Sequence, residues 1–239
     1  MKKIAIDAGH GGKDPGALGN GLQEKDLTLR LALRIGELLA ARSADVLYTR
    51  KDDRYLALSE RATVANQAGA DFFLSVHVNS GGGTGFESYT HIRATTAETA
   101  YQNVIHQRVA AVFSAACLPD RGQKRADFAV LRETKMPALL LEYGFIDHAT
   151  DAAKLQDPVF FEQLAQATAN GIAEAFGLPA ANTTAPNRTV KVIVNGKQVT
   201  DGLLMGDTVY VPVRAVAESL GASVAWDGKT RTVTVDQKR

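Results

Sequence analysis

Four residues of this chain have side chains and settings suited to hydrolysis. His10 lies between glycines in IAIDAGHGGKDPGA (Ile4–Ala17), and His77 follows an apolar run in FFLSVHVNS (Phe72–Ser80). Glu24 stands just before a leucine-rich stretch, and Glu142 sits among leucines in ALLLEYGF (Ala138–Phe145). Two histidines and a carboxylate form a complete protein ligand set for catalytic zinc, which keeps a further position open for water. His10, Glu24 and His77 supply such a set. Zinc lowers the pKa of its water and polarises a carbonyl oxygen. Amide hydrolysis also needs a base that takes the water's proton and returns it to the leaving nitrogen. Glu142, flanked by Leu139, Leu140, Leu141 and Tyr143, is the candidate, because burial raises a carboxyl pKa toward the working range.

Each residue also has a plainer role open to it. His10 is equally readable as a loop histidine beside a flexible turn, and Glu24 as a helix-dipole or capping carboxylate. Glu142 is readable as a buried glutamate paired with an arginine. His91, His106 and His148 read as surface or packing residues, with His148 the nearest exception because it follows Glu142 closely.

The elements that must hold these side chains follow from periodicity. A strand is expected at about Lys2–Asp7, then an irregular glycine loop over Gly9–Gly21. Leu27, Leu31, Ile35, Leu38 and Leu39 fall on one helical face. Further strands are expected at Asp45–Thr49, Asp71–Val78, Phe86–Ile92 and Ala138–Leu141, with Phe128–Leu131 short and extended after a polar loop at Arg121–Asp127. Helices are expected near Leu58–Ala68, Thr96–Ala116, Ala149–Leu155 and Pro158–Phe176. Strands alternating with helices predict an α/β fold: a three-layer, mostly parallel sheet flanked by helices. In such sheets the strand ends converge on one edge, so ligands scattered along the chain can meet there.

The 239 residues suit one medium domain and one small one. A net charge of +1 argues against a broad nucleic-acid or membrane footprint. The single Cys117 excludes an internal disulfide framework and cysteine-rich structural zinc sites. No apolar run is long enough to span a membrane. Met1 leads directly into the first strand, so no secretory signal peptide is expected, and a substrate outside the cell would require release by other means.

The catalytic-type region is expected to cover residues 1–178, and residues 179–188 (PAANTTAPNR from Pro179) read as an extended linker. Residues 189–239 change grammar: a hairpin at Asn195-Gly196, the alternating TVYVPV, a short helix, and two strands around Asp227-Gly228. A small α+β module is expected. Its charge, 8 basic against 5 acidic residues from Arg188 onward, is mildly basic, whereas residues 1–178 carry 19 against 21. Trp226 and Tyr210 could stack on sugar rings if exposed, although a module this small favours them as core.

The run AIDAGHGGKDPGA, Glu24 before its leucine-rich helix, SVHVNS and LLEYGFIDH occur in an order that resembles the zinc-dependent N-acetylmuramoyl-L-alanine amidases of bacterial cell walls. Thr49-Arg50, LSERATVAN, GFESY and FAVLRETKMPALLLE extend the likeness over residues 3 to 176. The resemblance implies Zn2+ on His10, Glu24 and His77, Glu142 as the catalytic carboxylate, and peptidoglycan as substrate. The bond implied joins the lactyl group of N-acetylmuramic acid to L-alanine. Asn79, polar and beside the ligands, is a candidate for contact with the stem peptide. Some members of that family carry an inserted helix that an activator protein must remove. Here the segment between Gly85 and Phe128 has room for one helix, so no activator is expected. The missing export signal fits a phage endolysin or a mother-cell autolysin. A zinc carboxypeptidase, a sugar deacetylase and a non-enzymatic wall-binding protein are the alternatives.

VNGKQV, VPVRAVAESLGASVAWD and TVTV resemble a small module named after the N-terminal domain of copper amine oxidases. Residues 189–239 hold no histidine or cysteine, so ordinary copper ligation is missing. Holding the enzyme near an insoluble wall is the expected role, against a stabilising or dimerising appendage.

Overall fold

The computed structural model describes residues 1–180, 189–205, 208–227, 230 and 232–237. The chain divides into two compact units, Met1–Asn182 and Thr183–Arg239. In the first unit the elements are β1 (Lys3–Ala8), β2 (Leu18–Gly19), β3 (Leu22–Gln23), α1 (Glu24–Ala40), β4 (Asp45–Tyr48), α2 (Leu58–Ala68) and β5 (Phe72–Asn79). They continue with β6 (Phe86–His91), α3 (Thr96–Ala115), β7 (Asp120–Ala126), α4 (Ala129–Arg132), β8 (Ala138–Phe145), α5 (Ala149–Gln156) and α6 (Pro158–Phe176).

Six strands form one sheet in the order β4-β1-β5-β8-β6-β7. Only the β8–β6 pairing is antiparallel. The central strands are apolar on both faces because helices cover both. On one face Ile4, Ile6, Leu74, Leu139 and Leu141 pack with Leu31 and Ile35 of α1, Ile105 and Phe113 of α3, and Leu164 and Ile172 of α6. On the other, Ala5, Phe73 and Leu140 meet Ala65 of α2 and Val130 and Leu131 of α4. This is the expected three-layer arrangement.

Local signals set the helix ends. Thr95 and Glu98 form a reciprocal capping box for α3. The Asp157 side chain accepts from the Val159 N–H, with Pro158 opening α6 and Gly177 ending it at φ 62°.

Two expectations are corrected. Arg121–Asp127 is no polar loop; Asp120–Ala126 is an edge strand, held by backbone pairing to β6 rather than by an apolar face. Phe128–Leu131 is not extended, since Phe128 precedes the turn of α4 that buries Val130 and Leu131. In addition, β8 runs past Leu141, so Glu142 lies within the strand and not at its end.

The second unit contains β9 (Thr189–Val194), β10 (Lys197–Met205), β11 (Thr208–Tyr210), α7 (Val213–Ser219), β12 (Ala222–Asp227) and β13 (Thr232–Gln237). A β11-β10-β9 sheet is antiparallel, and β12 and β13 form a two-stranded ribbon. Asn195 and Gly196 join β9 to β10, both at positive φ (50° and 76°), the conformation a tight hairpin turn demands. Trp226 and Tyr210, expected in the core, are 57% and 43% exposed. A unit of this size has too little chain to bury every large side chain. The expected linker beyond Ala180 and the glycine of the Asp227-Gly228 turn lie outside the described residues.

Candidate metal centre

On the sheet face covered by α2 and α4, side chains change character along each strand. Ala5 is followed by Asp7 on β1, Phe73 by Ser75 and His77 on β5, and Leu140 by Glu142 on β8. Every second residue shares a face. The apolar positions lie under the helices, and the ionisable ones lie toward the carboxyl ends of the parallel strands. That edge is where open α/β sheets build sites.

His10 follows β1, Glu24 opens α1, and His77 is two residues from the end of β5. The structure brings these three together: one ligand atom from each lies within 4.8 Å of the others. Glu24 is 4% exposed and sits between the imidazoles, with Oε2 3.1 Å from His10 Nε2 and Oε1 3.0 Å from His77 Nδ1. The Ala17 N–H donates to Oε2 and the Val78 N–H to Oε1, so both carboxylate oxygens are fixed by backbone from other elements. Glu24 therefore does not cap its own helix. Gly16 makes this approach possible: at φ +66°, a Cβ there would lie 2.7 Å from Glu24 Oε2 and from His10 Cδ2. Gly9 does the same for His77, whose ring would meet a Cβ at 2.4 Å.

Burial opposes charge at Glu24, but the hydrogen bonds and charges of the two histidines hold its pKa far below the usual carboxylate range. At His77 burial disfavours the imidazolium, yet the Glu24 hydrogen bond and the Glu142 and Glu24 charges raise its pKa to about 9. His10 is raised for similar reasons, against its own burial. His10 Nδ1 lies 2.9 Å from Asp14 Oδ2, which leaves Nε2 to face the centre. Such a site, with two imidazoles and one fixed carboxylate, is able to hold a metal ion.

Two buried arginines fix the backbone beneath it. Arg50 donates to the carbonyls of Ala8, Gly9 and Lys25. Arg61 donates to the carbonyls of Ala8 and His10 and to Asp7 Oδ1 at 3.0 Å. Asp7 also accepts from Thr49 and Ser75. This network holds His10 at φ 60°, a conformation uncommon outside glycine. Sequence reasoning did not single out Asp7, Arg61 or Asp14, although a lone aspartate inside an otherwise apolar first strand was a visible sign.

Glu142 stands opposite His77 in the β5–β8 register. Its Oε2 is buried without a hydrogen-bond partner among the described residues, and burial, reinforced by Glu24 and Glu87, raises its pKa to about 7. Among the described residues no arginine pairs with it. Asn79 is close by, but its amide donates to Glu87 Oε1 at 2.7 Å and its carbonyl accepts from the Ser80 N–H. Of the other histidines, His106 is buried between Ser88 and Asp120, His91 bonds Asp127, and His148 faces Asp151. None joins the centre.

Comparison with known proteins identifies the family. A family profile described as N-acetylmuramoyl-L-alanine amidase matches residues 4–174, and one described as copper amine oxidase N-terminal domain matches residues 193–239. The chain is 52% identical over 180 residues to the sporulation-specific N-acetylmuramoyl-L-alanine amidase of Bacillus subtilis, covering 74% of this chain and 69% of that one. It is 41% identical over 181 residues to the endolysin of Bacillus phage SPP1, covering 74% and 67%. The catalytic domain of CwlV, an N-acetylmuramoyl-L-alanine amidase from Bacillus (Paenibacillus) polymyxa, superposes with a TM-score of 0.70 at 39% identity, over 75% of this chain and all of that one. The family match over residues 4–174, the 52% identity to a named relative and the shared fold place the chain in the N-acetylmuramoyl-L-alanine amidase family.

Proposed function

We propose that this protein hydrolyses the amide between N-acetylmuramic acid and L-alanine in peptidoglycan, with zinc held by His10, Glu24 and His77 and Glu142 as general base and acid. The observation that carries the reading is the meeting of those three donors beside a carboxylate whose Oε2 has no partner among the described residues. When bound, zinc would supply Lewis-acid polarisation of the scissile carbonyl and a water acidified for attack. Glu142, with its pKa at about 7, is poised to take a proton from the attacking water and return it to the departing amide nitrogen of L-alanine. Glu24, tied to two backbone N–H groups, keeps the imidazoles oriented. Asp14 fixes the His10 tautomer. Asn79 acts through Glu87 in this reading rather than on the stem peptide directly.

The helix between Gly85 and Phe128 is α3, which buries Ile105, Val109 and Phe113 in the core. That supports a role in the fold and full activity without an activator. Among the described residues no helix is long and apolar enough to cross a membrane. Action on the bacterial cell wall, as endolysin or autolysin, follows from this reading. The second unit is assigned to wall attachment, supported by its exposed Trp226 and Tyr210.

Metal analysis paired with wall digestion tests the proposal. The expected result is about one zinc per chain, lysis abolished by chelation and restored by zinc, and new L-alanine amino ends on intact stem peptides. Release of a terminal amino acid or of acetate instead would favour the carboxypeptidase or deacetylase reading. Metal-free protein that still clears walls would overturn the assignment.

A further inference from the structure

The row of ionisable side chains does not stop at Glu142. Glu87 of β6 stands opposite Glu142 in register, one strand farther from His77. It is 2% exposed and is the hub of a second cluster. Asn79 Nδ2 and the Tyr89 hydroxyl donate to its Oε1, both at 2.7 Å, while Arg121 Nε (2.7 Å) and Lys124 Nζ donate to Oε2. These partners hold its pKa at about 2 against its burial. Glu87 is therefore a fixed anion with two cations on one oxygen, and the cluster of three charges is net positive.

The backbone makes the arrangement deliberate. The β6–β7 register jumps from Phe86↔Asp120 to Ser88↔Gln123, so Arg121 and Gly122 together oppose Glu87. Gly122 takes φ +85° in this bulge. A bulge re-aims a side chain, and here it turns Arg121 over the ring of Phe145, 4.8 Å from its centroid. Only Nε of Arg121 is engaged, by Glu87. Among the described residues neither Nη group has a hydrogen-bond partner, on a side chain that is 36% exposed. A guanidinium oriented by one carboxylate and one ring, with its terminal fork free, is the geometry that grips a second carboxylate in bidentate fashion.

We propose that Arg121, assisted by Lys124, is a specificity residue that binds a free carboxylate of the stem peptide about one residue beyond the L-alanine. The span agrees. Two strand spacings separate β8 from β7, about 10 Å in all, and one further peptide residue together with the reach of an arginine covers that distance. Asn79 and Tyr89 are positioning residues in this account, since they hold Glu87 and Glu87 holds Arg121. The inference rests on the amidase reading above, because it places the scissile amide at the metal centre.

The experiment compares two synthetic muramoyl peptides, identical except that the residue after L-alanine is glutamate with a free α-carboxylate or its α-carboxamide. Zinc-loaded full-length protein is assayed as wild type, R121Q, R121K and K124Q, with zinc content and melting temperature recorded. The wild type should prefer the carboxylate peptide through KM. R121Q should raise KM for it by about 10- to 100-fold, as loss of a charge-assisted pair implies, far more than for the carboxamide, with R121K intermediate. Equal KM for both peptides in the wild type, or equal losses on both in R121Q, would overturn the inference. Failure to cleave either peptide at the L-alanine amide would instead overturn the amidase reading.

Discussion

Glu142 and His77 stand directly opposite each other on adjacent parallel strands, on the sheet face where α2 and α4 no longer provide cover. Among the described residues Glu142 keeps Oε2 without a hydrogen-bond partner, and His77 is a member of the donor set. Adjacent strands lie about 4.8 Å apart, so sheet register alone brings a proton-accepting group beside the metal centre. No flexible loop has to close for the two to meet.

That division of labour predicts different failures for the two residues. Glu142→Ala should retain zinc while wall hydrolysis falls at least about a hundredfold, the usual scale of general acid–base catalysis. His77→Ala should lose both zinc and activity. Metal content by elemental analysis, set against hydrolysis rate, separates the two outcomes; equal activity in Glu142→Ala would refute the mechanism.

Asp14 accepts from His10 Nδ1 at 2.9 Å and should act through the ligand it orients. Asp14→Ala is expected to weaken zinc binding about 10- to 100-fold. A chelator competition titration reads this directly, and an unchanged zinc affinity would count against it.

Metal-free protein should show the electrostatic cost of Glu142. Its folded pKa, raised by burial to about 7, lies above the unfolded value near 4.5. The folded state therefore holds this proton more tightly than the unfolded chain, and stability falls as pH rises between those two values. Glu142→Gln should accordingly be more stable than wild type at pH 8, by at most about 3 kcal/mol, and no more stable at pH 4. Denaturant unfolding with chelator present, at both pH values, provides the check.

Arg61 and Asp7 form a buried ion pair, 3% and 0% exposed, under the His10 backbone. Arg61→Met leaves Asp7 without its cation and should cost about 3–5 kcal/mol. Asp7→Asn combined with Arg61→Met should cost less than the two single changes added together, because neither partner is then left as an unpaired charge. Thermal melts of the three variants measure it.

Deleting residues 183–239 should leave cleavage of soluble muramoyl peptides intact but reduce sedimentation with purified walls and slow their lysis. Equal sedimentation with and without this unit would assign it to stability instead.

The sequence by itself determined the layer architecture, because the central strands are apolar on both faces and alternate with helices of clear periodicity. It also marked His10, Glu24 and His77 as candidates for one ligand set, and the structure brings their donor atoms within 4.8 Å of one another. Glycines flanking His10, and ionisable residues that follow apolar runs as His77 and Glu142 do, are local signals that need no tertiary knowledge. Tertiary structure decided what depends on pairing. The strand at Asp120–Ala126 carries no large apolar side chain and became visible only through its bonds to β6. Asn79 could be named as polar and nearby, but only the fold turned its amide to Glu87. Arg121 and Lys124 carry no local mark of function, and Glu87 is marked only as part of GFESY. Their cluster exists because a register shift between two strands sets an arginine over a carboxylate 34 positions away, a relationship of geometry that no periodicity encodes.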